Sequence, residues 1–228
     1  TVESFSTYPA DSRQGPLRYS MSVCSPRLLV RPRFWRCRRF VPIVTFATGL
    51  KSILRQDPDV ILVGEIRDQE TAGIAVQSAL PGHLVMSSLH ATDASSALYR
   101  LVDMGIEPFL VSSSLVGVVG QRLVRRVCEA CAAPYSPAPN ELQLYGHLGG
   151  PEKERFVRGT GCNFCLHTGY RDRVGVYEVL TVTDDIGKVL IRGGSPRELR
   201  DTALEQGMRT MGNEAMQLVA QDVTTIDE

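Results

Sequence analysis

The chain has 228 residues, a formal net charge of zero and a hydrophobic share of 43%. That share is enough for a core and excludes wholesale disorder; the neutral balance excludes a global electrostatic pull toward nucleic acid or acidic lipid. The longest uncharged apolar run, Pro108 to Gly120, is too short to span a bilayer and holds three serines, and the N-terminus has no hydrophobic stretch that reads as a signal peptide.

Residues 1–44 carry eight arginines, no lysine and two acids, a local charge of +6 that leaves −6 for the remainder. This segment holds the only tryptophan, Trp35, and shows neither a period of 2 nor of 3.6. Ordered patterning begins near Phe46. Val60 to Val63 follows Asp57-Pro58-Asp59 and predicts a buried strand. Ala72, Ala75, Val76, Ala79 and Leu80 predict one face of a helix over Thr71 to Leu80, broken by Pro81-Gly82. Leu84 to Met86 predicts a second strand. Asp93 is placed to cap a helix with inner face Ala94, Ala97, Leu98, Leu101 and Val102, ending before Gly105. Pro108 suits the first turn of a further helix running toward Arg125. The alternation over 46–126 predicts an α/β core with a largely parallel sheet. Residues 128–170 are rich in Cys, Pro and Gly and predict a metal-organised insertion. Val174 to Leu180 predicts a strand, Ser195-Pro196-Arg197-Glu198 is a capping box, that helix should stop at Gly207, and another should cover Asn213 to Gln221.

Four of the six cysteines form two pairs, Cys128-x-x-Cys131 and Cys162-x-x-Cys165, separated by 30 residues. Each turn can present two thiolates about one tetrahedron edge apart, and two turns close a four-sulfur shell around Zn²⁺ with no open position, which is a structural site. His167 is expected at the surface or outside the sulfur shell, and Cys24 and Cys37 receive no role. A zinc ribbon for nucleic acid needs a clustered basic face. Lys153, Arg155 and Arg158 are here balanced by Glu141, Glu152 and Glu154, so no nucleic-acid partner is expected.

Two further patterns carry chemistry. Val60-Ile61-Leu62-Val63-Gly64-Glu65-Ile66-Arg67-Asp68 reads as a strand followed at once by acids. Carboxylates at the C-terminal end of a parallel strand sit where open α/β sheets bind ligands, and in phosphoryl transfer such a group orients water or holds Mg²⁺. Solvation of a strand end is the other reading, and the spacing alone leaves both open. His83 and His90 flank the second strand; each suits either a hydrogen-bonded structural role or a ligand contact.

The run LKSILRQDPDVILVGEIRDQETAGIAVQSAL resembles the Walker B region of the GspE/PulE/PilB secretion and pilus-assembly ATPases. PGHLVMSSLHATDASSALYRLVDMGIEPFL resembles their histidine box, and GQRLVRRVCEAC with GCNFCLHTGYRDRVGVYEVL their tetracysteine module. The resemblance covers residues 45–228. It implies a RecA-like P-loop NTPase core in part, with a Cys₄ zinc-binding insertion and C-terminal helices. It implies Glu65 as the carboxylate that polarises the attacking water, with Gly64 in the usual aspartate place. His90 would face the γ-phosphate, His83 would be its nucleotide-binding partner, and Arg122 would lie near the nucleotide or a subunit contact. Cys128, Cys131, Cys162 and Cys165 would bind zinc. ATP and Mg²⁺ would be the cofactors of the full-length protein. The assembly would be a cytoplasmic homo-hexamer, peripheral to the inner membrane and docked on platform proteins, driving pseudopilus or pilus assembly.

The expected organisation is an anomalous segment over 1–44, an ATPase core portion over 45–127, a zinc module over 128–170 and a strand with helices over 171–228. No G-x-x-x-x-G-K-[ST] occurs; Gly49-Leu50-Lys51-Ser52 has the ending without the spacing. Without that loop no backbone amides and lysine cradle the β- and γ-phosphates, so the chain alone is expected not to turn over ATP. The loop and an N-terminal domain are expected upstream. The alternative is a non-catalytic zinc-containing scaffold. Thr1-Val2-Glu3 resembles the start of the family's aspartate box, then matching stops until Thr45-Phe46. The break implies a reading-frame defect over roughly residues 4–43, with a genuine basic arm as the alternative. Pro81 stands where the family has threonine.

Overall fold

The computed structural model describes residues 2–5, 46–56 and 58–228, with 2–5 and 46–48 described by backbone alone. The arginine-rich stretch with Trp35, Cys24 and Cys37 lies outside the described residues, and so, apart from the backbone of Ser4 and Phe5, does the expected defect or arm over 4–43. In chain order the elements are β1 (Val2–Phe5), α1 (Phe46–Leu54), β2 (Val60–Val63), α2 (Gln69–Ala79), β3 (Leu84–Leu89), α3 (Ala94–Asp103), α4 (Pro108–Ser114) and β4 (Gly117–Val127). They continue with β5 (Ala132–Tyr135), α5 (Pro139–His147), β6 (Phe156–Gly159), β7 (Tyr170–Thr181), α6 (Asp184–Ile191), α7 (Pro196–Glu205) and α8 (Met211–Ala220). Two compact units divide the chain, one of residues 2–118 and 181–202, the other of 119–180 and 203–228.

In the first unit β3 is central. It pairs in parallel with β2, Val60 opposite Leu84 through Val63 opposite Ser87, and antiparallel with β1, Val2 opposite Leu89. The expected parallel pairing is therefore present, with an antiparallel strand beside it. Period-2 patterning shows in β2, where Ile61 and Val63 are buried and Leu62 is 48% exposed. Helix α2 buries Ala72, Ala75 and Val76 as its spacing predicted, but Leu80 lies outside, 46% exposed, and Ile74, Thr71 and Ser78 complete the inner face. Helix α3 buries Ala94, Ala97, Leu98 and Leu101. It starts where Asp93 accepts a hydrogen bond from the Ser96 N–H at 2.8 Å, and it is closed by Gly105 at φ +86°.

The helix expected from Pro108 toward Arg125 ends at Ser114 and is replaced by β4. Ser113 and Ser114 bond back to the carbonyls of Phe109 and Leu110 at 2.8 and 2.7 Å, a habit that weakens a helix. The valines at 116, 118 and 119 then favour an extended backbone. Helix α4 packs on α6, where a Cβ on Gly187 would collide with the Ser112 hydroxyl, so the two backbones approach closely there.

In the second unit β4 and β7 are neighbours, and β5 and β6 form an antiparallel pair, Ala132 opposite Gly159 and Tyr135 opposite Phe156. Its core is Tyr145, Phe156, Met216, Val219 and Ile226. The Tyr145 and Phe156 rings meet edge-to-face with centroids 5.1 Å apart. Helix α5 was not expected inside the metal-organised stretch; Pro139 at its first turn and the Glu141 carboxylate accepting from the Ala138 N–H at 2.7 Å start it. Buried Glu178 on β7 accepts from the Met211 N–H at 3.1 Å and so fixes the start of α8. Arg125 pairs with Glu228 and lies 4.2 Å over the Tyr170 ring.

Candidate functional site: a strand-end carboxylate and a tetracysteine cluster

Because β2 and β3 run parallel in register, the residues that follow each strand emerge at the same edge. Two hydrogen bonds hold the turn after β2 against β3: Ile66 N–H to the Ser88 carbonyl at 3.0 Å, and the Ser88 hydroxyl to the Gly64 carbonyl at 2.6 Å. Glu65 sits in this turn and His90 directly follows β3. The Glu65 side chain is 19% exposed, those of Arg67 and His90 74% and 75%. Arg67 Nε donates to Glu65 Oε2 at 2.5 Å, and the same guanidinium reaches that oxygen through Nη2. His90 Nε2 stands 2.6 Å from the other oxygen, Oε1. That oxygen is buried and receives no well-directed hydrogen bond, so the His90 contact is one of proximity. The Arg67 hydrogen bond, helped by the charges of Arg67 and His90, outweighs burial and holds the Glu65 carboxyl below its ordinary 4.5. Arg67 was not singled out from the sequence. The signal was its position two residues after Glu65 in an extended turn, which returns a side chain to the same side.

The other acid after β2 has different work. Asp68 accepts from the Thr71 N–H at 2.8 Å and the Thr71 hydroxyl at 2.9 Å, capping α2, and these bonds hold its carboxyl below 3.8. His83 precedes β3 and His90 follows it, so the strand separates them. His83 Nδ1 lies 2.8 Å from the Pro58 carbonyl at the start of β2. The structure thus brings Glu65 and His90 together and leaves His83 at the opposite strand ends. Arg122 is exposed on β4, in the second unit.

The four predicted cysteines converge. Cys128, Cys131, Cys162 and Cys165 present sulfurs that all lie within 4.8 Å of one another. The pairs Cys128–Cys162, Cys131–Cys165 and Cys162–Cys165 are 3.9, 3.8 and 3.7 Å apart. A disulfide needs about 2.05 Å, whereas sulfurs about 2.3 Å from a tetrahedral zinc ion have edges of about 3.8 Å. The donor set and spacing therefore fit a closed zinc site. Each turn carries its own support: Cys131 N–H donates to the Cys128 carbonyl at 3.1 Å, Cys165 N–H and His167 N–H to the Cys162 carbonyl at 3.2 and 2.9 Å. The turns are drawn together by Cys128 N–H donating to the Gly169 carbonyl at 3.0 Å, and a Cβ on Gly159 would collide with the backbone of Gly169, so only glycine permits that approach. Burial pushes the Cys131 thiol up to about 11. At Cys165 burial acts the same way, but backbone hydrogen bonds around Cys162 and Gly169 and the neighbouring sulfurs prevail and bring it down to about 6. His167 is exposed, as expected.

The family model described as type II/IV secretion system protein matches residues 42–228. The chain is 46% identical over 189 residues to the type IV pilus assembly ATPase PilB of Thermus thermophilus, covering 81% of this chain and 21% of that protein. It is 46% identical over 187 residues to the type II secretion system ATPase E of Vibrio cholerae, covering 81% and 36%. The chain thus spans about a third or less of the length of these relatives. Among solved structures it is similar to the pilus retraction motor PilT with bound ADP, at TM-score 0.55 and 26% identity, covering 80% of this chain and 42% of that one. The ATPase DotB of Legionella pneumophila has the same fold at TM-score 0.55 and 22% identity, covering 79% and 40%. Fold and sequence agree, and the chain belongs to the type II/IV secretion system protein family, with an α/β, RecA-like fold.

Proposed function

We propose that the chain is a C-terminal portion of a motor ATPase that couples ATP hydrolysis to pseudopilus or pilus assembly. The observation that carries this reading is the half-buried Glu65 carboxylate at the shared edge of two parallel strands, 2.6 Å from His90. In the complete protein Glu65 polarises the attacking water and His90 faces the terminal phosphate; Mg²⁺ supplies charge neutralisation at the phosphates when it is bound. Open space beside Glu65 supports a water or ion there: a Cβ on Gly64 would meet nothing within 4 Å, which leaves room for the side chain of an aspartate. The bound ADP of the PilT structure supports a nucleotide in this fold. His83, bonded to Pro58, acts from the far end of β3 by holding the strand start, and Arg122 contributes to a nucleotide or subunit contact in the assembled motor.

The four cysteines hold Zn²⁺, and its work there is to fix the shape of the 128–170 region. The motor works as a homo-hexamer on platform proteins at the cytoplasmic face of the inner membrane; among the described residues no helix is long and apolar enough to cross it. Because no G-x-x-x-x-G-K-[ST] occurs in these 228 residues, this chain alone does not hydrolyse ATP. Two measurements test the reading. The purified chain should show no magnesium-dependent phosphate release, and in the complete protein Glu65→Gln should abolish hydrolysis while preserving nucleotide binding. Turnover by the isolated chain, or full activity of the variant, would overturn it. The second reading, a non-catalytic scaffold, is favoured by the tetracysteine cluster, whose four side chains all lie among the described residues; retention of partner binding by the Glu65→Gln protein separates that role from catalysis.

A further inference from the structure

Glu65 as the structure holds it is poorly placed to activate water. One oxygen is gripped by two nitrogens of Arg67, and the other faces His90. A carboxylate so engaged has lost lone pairs and basicity, as its lowered titration range reflects. The gripping residue is itself loosely held. Arg67 lies on the turn between β2 and α2, its side chain is 74% exposed, and Glu65 is its charged partner. An ion pair with a largely exposed partner contributes little net stability, so exchanging this one for another anion costs little. A planar guanidinium binds phosphate oxygens in the same two-pronged manner as a carboxylate.

We propose that Arg67 is a latch on Glu65: it holds the carboxylate while the neighbouring space is empty of phosphate, and transfers to a polyphosphate oxyanion when one arrives, freeing Glu65 for its water. The inference rests on the reading of Glu65 as the water-polarising group and adds a residue that couples phosphate arrival to its release. Arg67 is a positioning residue in this scheme, acting through Glu65. Asp68, three residues on from Glu65, does not compete for Arg67, since both its oxygens serve Thr71.

The test uses the complete protein, phosphate loop included, and inorganic tripolyphosphate with Mg²⁺, read by carboxyl-carbon and arginine Nε–H magnetic resonance. Glu65→Gln identifies the Glu65 signal. In the wild type the Glu65 carboxyl should titrate below free glutamate, and tripolyphosphate should raise it while shifting the Arg67 Nε–H signal. Arg67→Gln should raise the titration in the absence of phosphate and remove the further rise on adding it. Arg67→Lys, which keeps the charge without the fork, should fall between the two and carries the test if Arg67→Gln fails to fold. An Arg67→Gln titration equal to the wild type, or tripolyphosphate that moves neither signal, overturns the latch. If the signals stay put while Glu65→Gln still abolishes hydrolysis in the complete protein, the latch alone is wrong. If that variant hydrolyses ATP at the full rate, the role given to Glu65 is wrong, whatever the titration does.

Discussion

At the tetracysteine centre every ligand comes from two short turns that carry their own hydrogen bonds, whereas the Glu65 carboxylate takes its surroundings from two strands and a loop. The first site needs only that two C-x-x-C turns meet, and four sulfurs 3.7–3.9 Å apart along the measured edges already match a zinc shell. The second is open on one side, with exposed Arg67 and His90 and vacant room at Gly64. That difference is the one expected between a structural ion site and a site for transient phosphate chemistry.

The comparison can be broken most decisively at the metal. Chelation at neutral pH, or Cys165→Ser, should remove one zinc per chain and release the protected amides of Cys131, Cys165 and His167 to hydrogen exchange, because ion binding and local folding are one process in such sites. The Glu65 and His90 signals should stay where they are; their loss would show that the two sites are not separate. Next in size is the core of the unit that carries the four cysteines. Phe156→Ala, which empties the contact with Tyr145 at 5.1 Å, should cost about 3–5 kcal/mol by denaturant titration.

Smaller effects probe the frame around Glu65. Asp93→Ala should cost about 1 kcal/mol through loss of the bond to the Ser96 N–H, and Asp68→Ala somewhat less, since Asp68 is the more exposed cap. Neither should change zinc content. The least effect is expected in the acid limb of stability. Glu228 is held below its ordinary 4.5, first by its hydrogen bond to Arg125. A carboxyl with a lowered folded value stabilises the fold above its unfolded value and loses that contribution as pH falls through the folded one. Glu228→Gln should therefore flatten the decline in stability below about pH 4.5, with little change at pH 7 beyond the lost ion pair. A decline as steep as the wild type would point to other carboxylates, Asp68 among them.

Much of the first unit was legible because its patterns are local. The Val60–Val63 strand, the Asp93 cap and the Ser195 capping box each declare themselves within a few residues; the structure has the strand and the cap, and of the box it has the Glu198 N–H donating to the Ser195 hydroxyl at 3.1 Å. The helix expected beyond Ser114 was misread because Val116 to Arg125 satisfies a helical pattern loosely, and β4 forms instead with β7 beside it. Helix α5 was hidden by the Cys-, Pro- and Gly-rich composition around it; Pro139 and Glu141 were the available signals. At the site, Glu65 and His90 could be named from strand ends, but which acid meets Arg67 and His90 and which is a cap could not. Asp68 and Glu65 look alike in sequence until Thr71 is seen to claim one of them.

The sequence by itself determined the four cysteines that converge, the strand–acid junction and the family, since each rests on residue types at short fixed spacings or on similarity along 42–228. Only the tertiary structure decided that His90 and not His83 meets Glu65, because the parallel pairing of β2 with β3 puts one strand end beside the other and carries His83 to the opposite end. It alone disclosed that Arg67 grips the carboxylate. An ion pair depends on the distance between charges in space, and spacing along the chain does not specify that distance once a strand edge and a turn intervene.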